Sequence, residues 1–136
     1  MIDPQISLLW IEIATTAEDD ELEAAAAAYA LVACVDRHLD KAERRRFGEL
    51  IPAGGKGQQV REAFVTYCDA LLADFNKARN KTLAALEKVS GSQVASDRVL
   101  RIAQMAVVAD GRIAPEEEAM VQVISAVLGH SPSQEV

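Results

Sequence analysis

Four acidic residues stand at matching places in two copies of one short sequence phrase. Asp36 is followed seven residues later by Glu43, and Asp110 is followed seven residues later by Glu117. The two aspartates, at positions 36 and 110, are 74 residues apart, and an apolar helical stripe leads into each of them. A repeat that keeps its acids as well as its apolar spacing predicts two equivalent helix–loop–helix units, each with carboxylates at its loop.

Carboxylates from two symmetry-related loops would form an all-oxygen ligand set if the loops met in the fold. Two carboxylates ~4 Å apart repel each other by about 4 kcal/mol at an effective dielectric constant of 20, so such a cluster requires a cation, a proton or an arginine. Oxygen ligands favour Ca²⁺, Mg²⁺ or Mn²⁺ over zinc. Secondary ligand candidates beside the loops are Asp40, His38 and Glu116.

A second interpretation gives the same acids a purely structural role. Glu43 and Glu117 would stabilise helix N-termini, where negative charge is favourable, and Asp36 and Asp110 would cap loop amides. The loops are not EF-hands, because the sixth position counted from Asp36 is not glycine and the twelfth is not glutamate. The residues therefore leave cation binding and helix capping both open.

Composition favours one soluble helical domain covering residues 1–136. The net charge of -7 argues against nucleic acid as a partner, and no stretch approaches the ~20 apolar residues of a membrane span. Cys34 and Cys68 lie in apolar helical patterns without metal spacing, which predicts buried thiols in a reducing, cytoplasmic compartment. No nucleophile stands near a base in sequence, so we expect no enzyme; the remaining enzymatic alternative is a metal-assisted hydrolase.

The hydrophobic periodicity predicts an all-α bundle with a pseudo-two-fold internal duplication, because no segment alternates with a period of two. The acidic repeats span residues 22–51 and 96–128, and the long periodic region 58–89 is expected to break around residues 76–80. The alanine run at 24–28 indicates helix-forming composition and close helix packing at once. Near the start, Trp10 belongs to an apolar stripe that is expected to pack as a helix, with partner binding as the alternative.

The phrase from Val107 to Glu117, with Ala-Asp-Gly at its centre and an isoleucine and glutamates after it, resembles the signature of the TerB-like family. This family includes the tellurite-resistance protein TerB and the extra domain of some membrane-anchored DnaJ-type co-chaperones. The resemblance covers about residues 20–129. The first copy departs from the signature, because Arg37 and His38 stand where the second copy has Gly111 and Arg112.

The resemblance implies an all-helical, internally duplicated cytoplasmic domain linked to tellurite and general stress resistance. It also implies divalent-cation binding and work among protein partners, often in a membrane-associated assembly. Carried over by position, the expected ligands are Asp36, Glu43, Asp110 and Glu117. The competing hypothesis is a helical interaction module in which these acids only cap helices, and a homodimer is a further option that the sequence leaves open.

Overall fold

The protein is described by a computed structural model that covers residues 10, 12–13, 18–35, 45, 49, 56–108 and 115–129. Over this part of the chain the secondary structure is helical, without a strand, and the all-α prediction is confirmed. Five helices have defined bounds: α1 (Asp19–Cys34), α2 (Gly57–Ala73), α3 (Phe75–Glu87), α4 (Gln93–Val108) and α5 (Pro115–Val127). The internal duplication stays a prediction.

Helix α1 is the central element of the bundle. It starts with three acids in its first turn, where the helix dipole favours negative charge, as the sequence predicted. All five alanines of the run 24–28 are buried, and α1 contacts each of the other four helices. A helix that is apolar on every side belongs in the interior of a bundle. Small side chains on all its faces let the neighbouring helices approach closely.

Helices α2 and α3 form a hairpin whose break lies at Asp74, slightly before the predicted region 76–80. Asp74 adopts an extended backbone with φ -157° and ψ 92°, and its amide donates to the Ala70 carbonyl at 3.1 Å. Its side chain accepts a hydrogen bond from the Lys77 amide at 3.3 Å. Asp74 therefore ends one helix and N-caps the next. An aspartate placed in this way competes with helix continuation, because its carboxylate satisfies an amide that has no partner within α3.

The last two helices begin and end with local signals that the sequence shows directly. Pro115 occupies the first position of α5, where its missing N–H costs nothing. Gly129 follows the helix with φ +89°, which confirms its predicted role after the C-terminus. Before α4, the Ser92 hydroxyl accepts a hydrogen bond from the Ala95 amide at 3.3 Å and caps the helix start.

The core is mainly aliphatic and contains three packed aromatic rings, with Tyr29 of α1 between the other two. The Tyr29 ring lies 6.3 Å from the ring of Trp10 and 5.8 Å from that of Phe64, centroid to centroid. Trp10 is fully buried, so in this fold its side chain packs in the core instead of offering an exposed anchor to a partner. Cys34 and Cys68 are both buried thiols, as predicted.

Candidate functional site

The predicted acidic loops follow directly from two described helices. Helix α1 ends at Cys34, two residues before Asp36, and α4 ends at Val108, two residues before Asp110. Five of the predicted ligands themselves lie outside the described residues: Asp36, His38, Asp40, Glu43 and Asp110. Their metal role therefore stays a prediction.

Two predicted ligands are described, and both stand in the first turn of α5. Glu116 is exposed and Glu117 is half-buried. Carboxylates at this place stabilise the helix through its dipole whether or not they also bind a cation. Within the described part of the chain, no group of three or more His, Cys, Asp or Glu side chains could hold a metal ion.

A buried ion-pair cluster joins the first turn of α1 to the second turn of α4. The Arg98 guanidinium donates from Nη2 to Glu21 Oε1 at 2.7 Å, and its Nε lies 2.6 Å from Glu21 Oε2 without hydrogen-bond alignment. Its Nη1 also donates to Glu12 Oε1 at 3.1 Å. The Glu21 side chain is 7% exposed and the Arg98 side chain 17%, so most water is excluded from the pair.

Burial and the neighbouring negative charges shift the pKa of Arg98 in opposite directions. Burial by itself lowers the pKa of the guanidinium, but the hydrogen bond and charge of Glu21, with a smaller contribution from Glu12, raise that pKa above its ordinary value. Arg98 is therefore a permanent cation. Sequence reasoning missed it, although one signal was present: Arg98 is three residues after buried Ala95 and four before buried Ile102, on the inner stripe of α4.

A second polar cluster links α1, α2 and the turn after α3. The Tyr67 hydroxyl donates a short hydrogen bond to Glu23 Oε1. Lys88 Nζ lies 3.9 Å from Glu23 Oε2. Burial, then the hydrogen bond to Glu23, then the negative charge of Glu23 raise the pKa of Tyr67 well above its ordinary value. The phenol consequently remains a neutral donor, and Glu23 is held in place by groups from two other elements.

Beside this cluster, a groove of about 480 Å³ opens between α1, α2 and α3. Its size falls in the range of about 300–1,000 Å³ that is usual for binding sites. The groove has small side chains on both facing helices and polar groups at its edges. Its lining residues are Glu23, Gln59, Glu62, Ala63, Thr66, Tyr67, Ala70, Ala78, Lys81 and Thr82.

The fold and these clusters define a small all-helical domain built around a buried, alanine-rich helix. The model of the family described as Tellurite resistance protein TerB matches residues 22–135, and the chain belongs to this family. The resemblance found from the signature around Asp110 is thus confirmed. Among curated proteins and among solved structures, nothing matches the chain.

Over the residues that the structure describes, every helix is too short or too polar to cross a lipid bilayer.

Proposed function

We propose that this TerB-family protein acts in tellurite and related stress resistance as a non-enzymatic, cytoplasmic domain. In this proposal it binds a divalent cation through Asp36, Glu43, Asp110 and Glu117 and works with protein partners, such as a membrane-associated resistance complex. Asp40, His38 and Glu116 are secondary ligand candidates. Carboxylate oxygens fit a hard cation, Ca²⁺, Mg²⁺ or Mn²⁺, which would neutralise the repulsion among the acids.

One observation carries the proposal: the helices that precede the two aspartates correspond in length and spacing. Helix α1 runs from residue 19 to 34 and α4 from residue 93 to 108, so both the starts and the ends are separated by 74 positions. Each helix has 16 residues. The same separation relates Asp36 to Asp110. Two equal helices that lead into two matching acidic loops support a duplicated site.

The Glu21–Arg98 pair adds a spatial argument. Because it joins the first turn of α1 to the second turn of α4, the N-terminal parts of the two helices lie beside each other in the bundle. The inner face of α4 is buried from Ala95 to Val107, and α1 is buried along its length. Helices whose N-terminal parts lie beside each other and that pack along their lengths run in the same direction. This arrangement favours loops that leave from the same end of the bundle, where their acids can share one ion.

The test is cation titration of the chelator-stripped protein, by calorimetry and by thermal unfolding. A cation that binds the folded state at 100 times its dissociation constant stabilises it by about 2.7 kcal/mol. We expect Ca²⁺, Mg²⁺ or Mn²⁺ to give this stabilisation and Glu117→Gln to reduce it. Glu118→Gln, an exposed neighbour in the same turn, is the matched control and should leave it intact. Unchanged unfolding with each of the three ions would contradict the proposal.

The alternative function is a helical interaction module whose acids only stabilise helix ends. The observation that favours it is the row Glu116, Glu117 and Glu118 in the first turn of α5, where acids interact with the helix dipole without any metal. In that case Asp110→Asn, which keeps an acceptor oxygen, lowers the free energy of unfolding only modestly, equally with and without divalent ions. A partner-binding assay would then depend on other surfaces of the bundle.

A further inference from the structure

Three residues that precede α1 lie against the bundle, and we call them the strap: Trp10, Glu12 and Ile13. All three are helical. Trp10 and Ile13 are three positions apart, which places them on one face of a helix, and both are fully buried. The Glu12 side chain is 58% exposed. The strap therefore directs one aromatic and one branched aliphatic side chain into the bundle and keeps a carboxylate at the edge.

The surface under the strap combines an aromatic ring of α1 with a cation of α4. The ring of Trp10 lies 6.3 Å from that of Tyr29, centroid to centroid, with an angle of 55° between the ring planes. At the edge, Glu12 Oε1 accepts a hydrogen bond from Arg98 Nη1 at 3.1 Å. The bundle thus recognises the strap through an apolar contact and an ion pair at the same time. A segment of the chain itself shows which chemistry fits this surface.

Arg98 keeps its main counter-charge when the strap leaves. Its Nη2 and Nε lie 2.7 and 2.6 Å from the two carboxylate oxygens of Glu21, which belongs to α1 and is 7% exposed. The contact with Glu12 is instead at the surface, where ion pairs are weak and are screened by salt. Opening of the strap therefore breaks the weaker of these two ion pairs and leaves the enclosed one intact.

The strap and the surface that it covers also belong to different parts of the chain. The match to the TerB family covers residues 22–135, so it includes Tyr29 and Arg98 and begins after the strap. The matched unit by itself provides both the aromatic ring and the guanidinium. This division supports the strap as an occupant of a surface that the rest of the bundle offers.

We propose that the strap is an intramolecular ligand that covers a docking site for a partner protein. The partner supplies a short amphipathic helix with the chemistry of the strap: an aromatic residue, a branched aliphatic residue three positions later, and a carboxylate between them. Its aromatic side chain lies on Tyr29 and its carboxylate binds Arg98, in the way that an amphipathic helix fills a groove. This site gives the protein partners of the proposed function a place on the fold, but it does not depend on cation binding at the acidic loops.

The first measurement follows the opening of the strap in the full chain. Trp10 is the single tryptophan, so its fluorescence reports the strap, whereas far-UV circular dichroism reports all the helices. In urea, we expect the fluorescence transition at a lower concentration than the dichroism transition, because the strap opens before the bundle unfolds. Glu12→Lys puts a second cation beside Arg98 and should widen the gap. Glu87→Lys makes the same charge change at an exposed acid of α3 and should leave the gap unchanged.

The second measurement is binding of a labelled peptide with the sequence of residues 4–17, by fluorescence anisotropy with a chelator present. In wild type the strap competes with the peptide, whereas Trp10→Ala weakens the strap. We expect Trp10→Ala to bind the peptide at least about tenfold more tightly than wild type, because the apparent affinity scales with the fraction of open molecules. A matched peptide with alanine in place of its tryptophan should bind that variant at least about tenfold more weakly.

Several results would overturn the proposal. Coincident fluorescence and dichroism transitions in wild type, or loss of the cooperative thermal melt in Trp10→Ala, would make the strap an inseparable part of the core. Equal binding of the two peptides, or no binding of either to Trp10→Ala, would reject the surface as a docking site. Concentration-dependent self-association of wild type that Trp10→Ala abolishes would make a second copy of the chain the occupant instead of a different partner.

Discussion

Arg98 of α4 forms an enclosed ion pair with Glu21 of α1, with Nη2–Oε1 and Nε–Oε2 separations of 2.7 and 2.6 Å. The two residues lie 77 positions apart in the sequence. Because the pair joins the first turn of α1 to the second turn of α4, it sets how the two helices are aligned. Replacing both partners with hydrophobic residues removes both charges and leaves neither one buried without its partner. Such a double variant shows how much of the stability depends on the ion pair itself.

Removal of the arginine alone should be costly. Arg98→Met leaves the Glu21 carboxylate without its main counter-charge, and breaking a buried pair in this way costs about 3–5 kcal/mol. The double variant Glu21→Leu with Arg98→Met removes both charges and should recover most of the loss. Denaturant unfolding measures the free energy of unfolding of the single and the double variant. Lys56→Met is the control, because its pair with Asp19 spans 3.6 Å between exposed side chains and contributes about 0–1 kcal/mol. A double variant as unstable as the single one would contradict this account.

Tyr67 should make stability depend on alkaline pH. Its pKa in the folded protein is raised above 10.0, the value expected for an unperturbed tyrosine. As pH rises beyond that value, the unfolded chain loses the phenolic proton before the folded one does, so the free energy of unfolding falls. At pH values below 10.0, the stabilisation that comes from the raised pKa of Tyr67 is fully present. In Tyr67→Phe the alkaline decline should be shallower, as measured by unfolding at a series of pH values.

The same variant has a second readout at neutral pH. Loss of the hydrogen bond to Glu23 should lower the free energy of unfolding by about 1 kcal/mol. Tyrosinate absorbance should show one tyrosine that titrates late in the wild type and is missing from Tyr67→Phe. If the free energy of unfolding fell equally steeply with alkaline pH in the two proteins, Tyr67 would not be the source of the pH dependence.

Asp74 should stabilise the α2–α3 hairpin through the hydrogen bond by which its side chain caps α3. Asp74→Ala removes the acceptor for the Lys77 amide, and the loss of an N-cap costs about 1 kcal/mol. Asp74→Asn keeps an acceptor oxygen and should restore most of the stability. Asn76→Ala, an exposed position in the same turn, should be neutral or slightly stabilising because alanine is the better helix former. Thermal unfolding of the three variants tests the order.

Two glycines give a matched test of backbone conformation. A Cβ added at Gly91 or at Gly129 would meet no atom within 4 Å, but Gly129 has φ +89°. Gly129→Ala should therefore cost about 1 kcal/mol, since L-residues are disfavoured in left-handed conformations. Gly91→Ala should be neutral or mildly stabilising, because it reduces the entropy of the unfolded chain. Equal effects at the two positions would rule out backbone strain as the cause.

Much of the local structure was readable from short stretches of sequence. The acids before the alanine run predicted the start of α1, Pro115 predicted that of α5, and Gly129 its end, because each acts on hydrogen bonds within about one turn of itself. The hairpin break was predicted within a few residues of Asp74 and missed for a local reason. The break was expected around residues 76–80, whereas the chain breaks earlier because the carboxylate of Asp74 accepts a hydrogen bond from the Lys77 amide.

Sequence alone determined the all-helical class, close helix packing at the alanine run and membership of the TerB family, because these follow from periodicity, composition and the signature around Asp110. Only the tertiary structure decided that Arg98 pairs with Glu21, that Tyr67 holds Glu23, and that small side chains of α2 and α3 leave a groove. The physical reason is range. Helix signals act between residues a few positions apart, whereas these contacts depend on which helix faces meet when apolar surface is buried.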